Sequence, residues 1–477
     1  MSNQQNEKNL LPKKTGDLSD WYVAINRLAD LSDYGPAKGT MIFKPYGYAI
    51  WENIQRALDD LFKEHGVENA YFPMLFPMSY LEREKDHVDG FSPELAVVTH
   101  GGGEKLEEPL VVRPTSESIM YDYYAKWTQS WRDLPILINQ WNNIVRWEKR
   151  TMPFIRTSEF LWQEGHTAHA TAREALDTQK WAMDVYRKVY REVLAIDGYS
   201  GLKSAAERFA GAEETLTFET MMPSMKALQS CTSHYFGQKM ARAFNLVFQN
   251  QAGDDEYAYQ TSWGFSTRSI GGLILAHGDD NGLRLPPRVA PIQVVIVPVK
   301  TDDEVLAEGR KIFDELKKAG VRVKFDERDY ERFGYKLNDW EVKGVPVIIK
   351  LGAKEITDGV VSYRRRDTLS DGQYKRAGVA SKIIKLIDTI QADMLTESVK
   401  FRDENTYDAA DYDEFKRIMA DRSGFIKVHW NEDTDIEMKI KEETKATTRC
   451  KLAEQSDGVD FYTGQPAKDI WLFAQSY

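Results

Sequence analysis

NQWNNIVRWEKRTMPFIRTSEFLWQEGH, running from Asn139 to His166, sets three arginines and three glutamates among tryptophan, phenylalanine and isoleucine. The apolar residues Trp141, Ile144, Val145, Trp147, Phe154, Ile155, Phe160, Leu161 and Trp162 argue for burial. Buried charges persist only when paired or bound to a ligand, so an anion is expected to dock at this segment. Glu148 follows Arg146 by two residues, and on a strand both side chains project from one face. One can hold a phosphate while the other accepts from an exocyclic amine.

The surrounding chain has 477 residues, 42% hydrophobic and 29% charged, which is globular and long enough for about two to four domains. No stretch approaches the roughly 18 uncharged apolar residues of a membrane helix, and the start, MSNQQNEKNLLPKK, lacks the apolar centre of a signal peptide. A cytoplasmic protein with no membrane partner is expected. Two cysteines, Cys231 and Cys450, make neither a disulfide framework nor, alone, a four-ligand zinc site. The net charge of −11 argues against a protein that coats nucleic acid indiscriminately. Residues 291–394 carry 20 Lys+Arg against 18 Asp+Glu, while 1–290 carry 31 against 38 and 395–477 carry 12 against 18. A polyanion contact is therefore sought in the middle block.

The first 40 residues read as polar with scattered turns, and helical periodicity begins near Tyr46. Ile50, Ile54, Leu58, Leu61 and Phe62 form its apolar stripe, closed by His65-Gly66. VENAYFPMLFP follows as a strand with two prolines, suited to an edge or an interface. The three glycines of THGGGEKLEE predict a mobile loop before LVVRPTSES. Thr171 and Glu174 have capping-box spacing and open an amphipathic helix over 171–194. From Ile292 the texture changes: IQVVIVPV, VRVKF, VPVIIKL and VVSYRRR read as strands, separated by helices at Asp303 to Lys318 and about 332–343 and followed by one over about 380–395. This alternation predicts an α/β domain with a largely parallel sheet. Prolines in LPPRVAP mark its boundary, and an acidic tail begins near residue 400.

Nucleotide signatures built on glycine turns are missing. There is no GxxxxGK[ST], and no strand leads into GxGxxG. Phosphates would have to be held by arginine forks, for which Arg146, Arg156, Arg268 and Arg288 are candidates. Each could instead be a surface arginine or half of an ion pair. Cys231, Ser233 and His234 lack a nucleophile elbow and read more readily as core residues. His166 and His169 have no third histidine or cysteine nearby to complete a metal site.

GYAIWENIQRALDDLFKEHGVENAYFPML, VRWE with FIRTSEFLWQEGH, and HGDDNGLRLPPRVAP resemble motifs 1, 2 and 3 of class II aminoacyl-tRNA synthetases. More narrowly, the chain from Tyr46 to Tyr477 is similar to prolyl-tRNA synthetases of the archaeal/eukaryote-like type with a C-terminal extension. The resemblance implies an α/β and α+β multidomain fold. A catalytic domain with an antiparallel sheet would span 1–290, an α/β anticodon-binding domain 291–398, and a small α+β C-terminal domain 399–477. It implies a homodimer, built through motif 1, that activates L-proline with ATP and Mg²⁺ and transfers it to tRNA(Pro). Arg146 would clasp the α-phosphate and the proline carboxylate, and Glu148 and Arg156 would fix the adenine and outer phosphates. Gln229, Thr232, Ser266 and Arg268 would complete the ATP site, with Arg288 as the motif 3 arginine; Arg146, Glu148 and Arg268 form the implied catalytic set. Thr115, Glu117, Trp162, Glu164, His166 and His234 would join Arg146 around proline, under the glycine loop 101–103. No editing domain is visible between motifs 2 and 3.

For the anticodon the resemblance implies reading of bases by stacking and edge contacts, for which Arg328, Lys336, Glu341, Arg364 and Arg366 are candidates, together with Asp326 and Trp340. Zinc-binding relatives place four cysteines in the C-terminal domain, at positions that here are Asn431, Ile436, Asp460 and Thr463, so a zinc-free domain is expected. The terminal Tyr477 matches a tyrosine that reaches toward the active site in the family. Two other readings remain open: a synthetase for another amino acid, and a non-catalytic paralogue that binds RNA or regulates.

Overall fold

In the computed structural model, which describes residues 11–83 and 95–477, the opening stretch is an antiparallel hairpin. Ile136–Val145 pairs with Glu159–His169, and the polar, proline-containing segment between them forms the loop. The hairpin lies in an eleven-stranded sheet. Beside Glu159–His169 come Tyr259–Ser266, Ala227–Gly237, Glu214–Met221 and Tyr199–Leu202, with each neighbouring pair antiparallel.

Because side chains alternate across a strand, one face of these strands packs on a helix and the other opens. Helix Ala172–Glu192 covers the first face: Gln179 accepts through its carbonyl from Ser233 Oγ at 2.9 Å, and Tyr186 bonds Gln163 at 2.6 Å. Its capping box at Thr171 and Glu174 forms as the spacing predicts. Helix Pro45–Glu64 packs beside it and stops at Gly66, whose φ of 86° only glycine adopts readily. Trp21, Tyr22 and Ile25 of helix Leu18–Leu28 enter the same core. That helix lies in the part read as polar turns; its signals are the Asp17 cap and apolar residues at helical spacing.

The predicted strand VENAYFPMLFP is broken by its prolines into Glu68–Asn69 and Leu75–Pro77. Glycines 101–103 form the tip of a hairpin between Ala96–Gly101 and Glu104–Val112.

Residues 292–398 form a five-stranded sheet in the order Val323–Phe325, Val294–Pro298, Val347–Leu351, Val360–Arg365, Asp371–Lys375. Helix Asp303–Lys318 falls where the pattern predicts, helix Phe333–Val342 within a residue of it, and the last helix runs longer, Val379–Glu404. The sheet is mixed rather than largely parallel: the first three strands are parallel and the last two antiparallel. The connection Gly352–Gly359 is too short to cross back over the sheet, since a parallel return needs a dozen or more residues. DGQYK at 371–375 is a polar edge strand that carries no apolar signal.

The C-terminal strands Thr406–Asp408, Phe425–His429, Pro466–Ala474 and Thr447–Val459 extend the large sheet, joined to it at Lys451 and Leu202. No helix among the described residues is long and apolar enough to cross a membrane.

Candidate active site

Strand register lays out the open face in rows. His166, Ser262, His234 and Thr215 lie side by side across four strands; the next row is Glu164, Gly264, Thr232 and Thr217. Trp162 and Ser266 begin a third row, and Glu219 pairs with Gln229 on the neighbouring strands. Gly264 keeps the floor open, because a Cβ there would lie 3.1 Å from the Trp162 ring.

At one end is an acidic pocket. The Glu164 carboxylate is buried and accepts from Ser116 N at 3.0 Å, Asn142 Nδ2 at 2.6 Å, Gln140 Nε2 at 3.2 Å and His166 Nε2 at 2.9 Å, and also from Ser116 Oγ. Burial alone would raise its pKa, but these donors and the His166 charge hold it at about 2. Burial would lower the pKa of His166, yet Glu117 and Glu164 raise it, so imidazolium is favoured. Glu117 opens helix Glu117–Trp127 and accepts from Ser262 Oγ at 3.1 Å and from Thr115 Oγ1. Arg113, buried just before it, ties the loop down through Phe72 O and Asn143 O, both at 2.8 Å.

Glu117, Glu164 and His166 offer ligand atoms within 4.8 Å of one another. A metal is nevertheless a poor fit, since the Glu164 oxygens are already filled by five donors and His166 Nε2 is spent on Glu164. The pocket suits an organic cation better. Its side wall is Phe209 stacked on His234 at 4.3 Å, with His234 held by Thr215 at 2.9 Å and Thr232 at 3.0 Å.

At the other end is a cationic one. The Arg146 guanidinium lies 5.4 Å from the Trp162 ring and 5.8 Å from Phe160, with its Nε donating to Pro114 O at 3.0 Å. Arg268, at the start of helix Arg268–His277, donates to Ile155 O at 3.1 Å and Gln229 O at 3.4 Å. Burial, and then the like charges of Arg146 and Arg156, lower its pKa. A buried arginine destabilised by burial and by like charges, with Arg146 in the same cleft, describes a site completed by an anion. Arg156 sits 3.9 Å from Glu148 in the hairpin loop, and neither is among the residues that line the cleft.

One cleft is thus lined by Thr115, Glu117, Arg146, Trp162, Glu164, His166, Gln229, Thr232, His234, Ser266 and Arg268. Arg288 is not brought there. It is 53% exposed, pairs with Glu192 at 3.6 Å, and leaves Arg268 as the arginine that this region sends into the cleft. The sequence reading passed over Lys203, Glu207, Phe209, Thr215 and Ser262 of the lining. The alternation Thr215, Thr217, Glu219 was the signal that could have found part of that wall. The Cys231 thiol faces the helix-covered core, paired in register with Phe218, and burial pushes its pKa well up. His169, also buried, is pushed down to about 4 and lies outside the lining. Tyr477 does not line the cleft either: its hydroxyl bonds Ser224 at 2.8 Å and its N–H donates to Ala227 O at 3.1 Å. The turn at glycines 101–103 likewise lies outside the lining.

Among the anticodon candidates, Arg328 pairs with Asp326 at 2.6 Å and Asp339 at 3.0 Å, and Arg364 bridges Glu341 at 2.9 Å and Asp371 at 3.1 Å. Two candidates do not present themselves to a ligand. Lys336 is buried with its Nζ on Asp326 O at 3.4 Å. Arg366 is buried and forks onto Asp279 at 2.8 and 2.6 Å, fastening this region to the catalytic one.

A face of antiparallel strands holding arginine clamps, with no glycine phosphate turn, is the frame of a class II aminoacyl-tRNA synthetase. A model of the class II core domain (G, H, P, S and T) matches residues 100–277, an anticodon binding domain model matches 293–386, and a prolyl-tRNA synthetase C-terminal model matches 412–477. The chain is 50% identical over 470 residues to a proline--tRNA ligase of Rubrobacter xylanophilus, covering 98% of each, and 48% identical to proline--tRNA ligase 2 of Clostridioides difficile, covering 99% and 100%. A crystal structure of prolyl-tRNA synthetase from Cryptosporidium parvum, complexed with halofuginone and AMPPNP, superposes with a TM-score of 0.94 at 40% identity, covering 98% of this chain and 99% of that one. The chain belongs to the prolyl-tRNA synthetase family.

Proposed function

We propose a division of labour within the cleft for the reaction of this family. The chain is a proline--tRNA ligase: L-proline and ATP give prolyl-adenylate and pyrophosphate, and the prolyl group then passes to the 3'-terminal ribose of tRNA(Pro). Glu117 receives the secondary ammonium of proline, with Glu164 and His166 as its rigid support and Phe209, His234 and Trp162 as ring walls. Arg146 spans the two ends of the cleft and holds both the proline carboxylate and the α-phosphate. Arg268 meets the phosphates from the opposite side, Glu148 and Arg156 close over adenine and the outer phosphates, and Gln229, Thr232 and Ser266 line the nucleotide's path.

The carboxylate attacks the α-phosphorus in line, so the work of the protein is to orient two anions and to match the charge that develops on phosphate. ATP enters as its Mg²⁺ complex, and the ion's ligands are then mainly phosphate oxygens and water, as is usual for Mg²⁺. The observation that carries this reading is the presence in one cleft of Arg146 and Arg268 with the buried Glu117, Glu164 and His166. Replacing Arg146 by Lys tests it: loss of the bidentate fork should cut proline-dependent pyrophosphate exchange by about 100-fold or more while tRNA binding is kept. Equal loss of both would count against the assignment.

Of the division at 1–290, 291–398 and 399–477, the first boundary is supported by the family-model limits and the change of sheet at Ile292, while the second falls within helix Val379–Glu404, ahead of the C-terminal match at 412. Assignment to the archaeal/eukaryote-like type is supported by the C-terminal match and the likeness to the Cryptosporidium structure; the curated relatives cited are bacterial. Arg328, Glu341 and Arg364 remain the residues for anticodon bases. A homodimer is supported by the exposed Tyr71, Met74 and Leu75 after helix Pro45–Glu64, and a cytoplasmic location by reduced, buried Cys231 and Cys450. A zinc-free C-terminal domain is supported by Asp460, whose buried carboxylate accepts from the backbone N–H of Asn431, Tyr462 and Thr463 at 2.7, 3.0 and 2.8 Å. It gathers the segments that cysteines would otherwise hold through a metal.

A further inference from the structure

The wall of the cleft nearest the C-terminal strands carries a buried charge that the division of labour above does not use. Lys203 follows strand Tyr199–Leu202 and continues its ladder by donating to Thr215 O at 2.9 Å, which places it on the open face in the row of Thr215 and His234. Its side chain is 2% exposed, yet Nζ has no hydrogen-bond partner among the described residues. The nearest carboxylate, Glu219, is 3.7 Å away and already engaged: Arg449 donates to it at 3.0 Å and Thr217 at 2.7 Å.

Two buried cations thus share the buried carboxylate of Glu219, with Glu207 also acting on both, and Arg449 has the hydrogen bonds. Three ammonium donors are left in a dry wall of the cleft, an expensive arrangement unless a ligand oxygen takes them. At Gly201 the C-terminal strand packs directly on the backbone, since a Cβ there would lie 2.0 Å from Lys451 O.

Position narrows the ligand. Reaching from the row of Thr215 to Glu219, Lys203 passes Thr217, which pairs with Thr232, and ends beside Glu219, which pairs with Gln229. Thr232 and Gln229 belong to the nucleotide half. The phosphates of that half are drawn to the guanidinium groups of Arg146, which sits by Trp162, and of Arg268, which reaches from Ile155 O to Gln229 O. The oxygens that remain for the wall of Lys203 are the hydroxyls of the sugar.

We infer that Lys203 determines specificity for the ribose of ATP by donating from its ammonium to a sugar hydroxyl, with Arg449 of the C-terminal region as a positioning residue acting through Glu219. The inference rests on the assignment of Gln229 and Thr232 to ATP. Burial lowers the Lys203 pKa against the pull of Glu219, which fits a cation short of partners.

The test is steady-state pyrophosphate exchange with ATP, 2'-deoxyATP and 3'-deoxyATP at saturating proline. In the unmodified enzyme one deoxy analogue should show a KM about tenfold or more above that of ATP, as expected for a hydrogen bond to a charged donor. Lys203→Met should raise the KM for ATP to about that level, leave it unchanged for that analogue, and keep the KM for proline within about twofold. The variant removes a surplus buried charge and leaves the Glu219–Arg449 pair intact, so its thermal midpoint should stay level or rise. Equal KM values for all three nucleotides in the unmodified enzyme overturn the inference without any variant. So does a Lys203→Met enzyme that loses as much with both analogues as with ATP. Absence of proline-dependent exchange in the unmodified enzyme would instead overturn the reading of the cleft itself.

Discussion

Replacing Glu164 by Gln asks whether the proline pocket is held by a charge or merely by shape. Two of the five donors to this carboxylate, Ser116 N and His166 Nε2, meet Oε2; three, from Ser116 Oγ, Gln140 and Asn142, meet Oε1. An amide must turn its NH₂ toward one of these sets, so at least one N–H is left facing an N–H. The descent of the carboxyl from 4.5 to about 2 gives the scale independently: at 1.36 kcal/mol per unit it corresponds to roughly 3 kcal/mol. That agrees with the about 3–5 kcal/mol typical of breaking a buried pair.

The sign follows from the two partners. Glu164's contribution is complete above its ordinary value of 4.5 and is lost as pH falls toward about 2. His166, whose pKa is raised, contributes fully below 6.5 and loses its share as pH rises through the folded value. The gap between the two proteins should therefore be widest near about pH 5.5 and shrink on both sides. Calorimetry of the transition that contains the catalytic region should show a fall on the order of 5–10 °C there. A midpoint within about 1 °C of the unmodified protein at pH 5.5, or a gap as large near pH 2, would refute the reasoning.

Arg268→Met should abolish pyrophosphate exchange by about 100-fold or more, yet leave the thermal midpoint level or higher, because it relieves repulsion with Arg146 and Arg156; activity assay and calorimetry on one preparation decide it. Arg366→Met should strand Asp279 and cost about 3 kcal/mol or more in stability, without changing which anticodon substitutions in tRNA(Pro) are tolerated. Arg328→Ala should raise the KM for tRNA by about tenfold while pyrophosphate exchange is unaffected, as kinetics with and without tRNA will tell. Metal analysis of purified protein should find no stoichiometric zinc, and Asp460→Asn should lower the thermal midpoint, because the amide leaves one of three backbone N–H groups without an acceptor.

Helices in this chain could be read from local chemistry. The Thr171 and Glu174 box, the Gly66 stop, and the run from Asp303 to Lys318 appear where spacing puts them, because a cap or a left-handed residue acts within one turn. Strand partners could not be read in the same way. The proline-broken VENAYFPMLFP, the antiparallel return of Val360–Arg365, and the edge strand Asp371–Lys375 depend on connection length and on neighbours distant in sequence.

The same division runs through the site. Arg146, Trp162, Glu164 and His166 were legible because their own segment is apolar and its charges are conspicuous. Arg288 and Arg268 look equally plausible as residues, and only the placement of helix Arg268–His277 against the sheet sends one inward. Lys203 gave no signal at all: it becomes unusual only when Arg449, more than 200 residues away, takes the carboxylate beside it.

The account depends on one chemical event, formation of an acyl-adenylate from proline in a cleft without a phosphate-binding glycine turn. Its most direct test is exchange of labelled pyrophosphate into ATP, run with each of the common amino acids and Mg²⁺ and without tRNA. Exchange should be strong with L-proline and far weaker with every other amino acid. No exchange with L-proline, or a stronger rate with another amino acid, would contradict it.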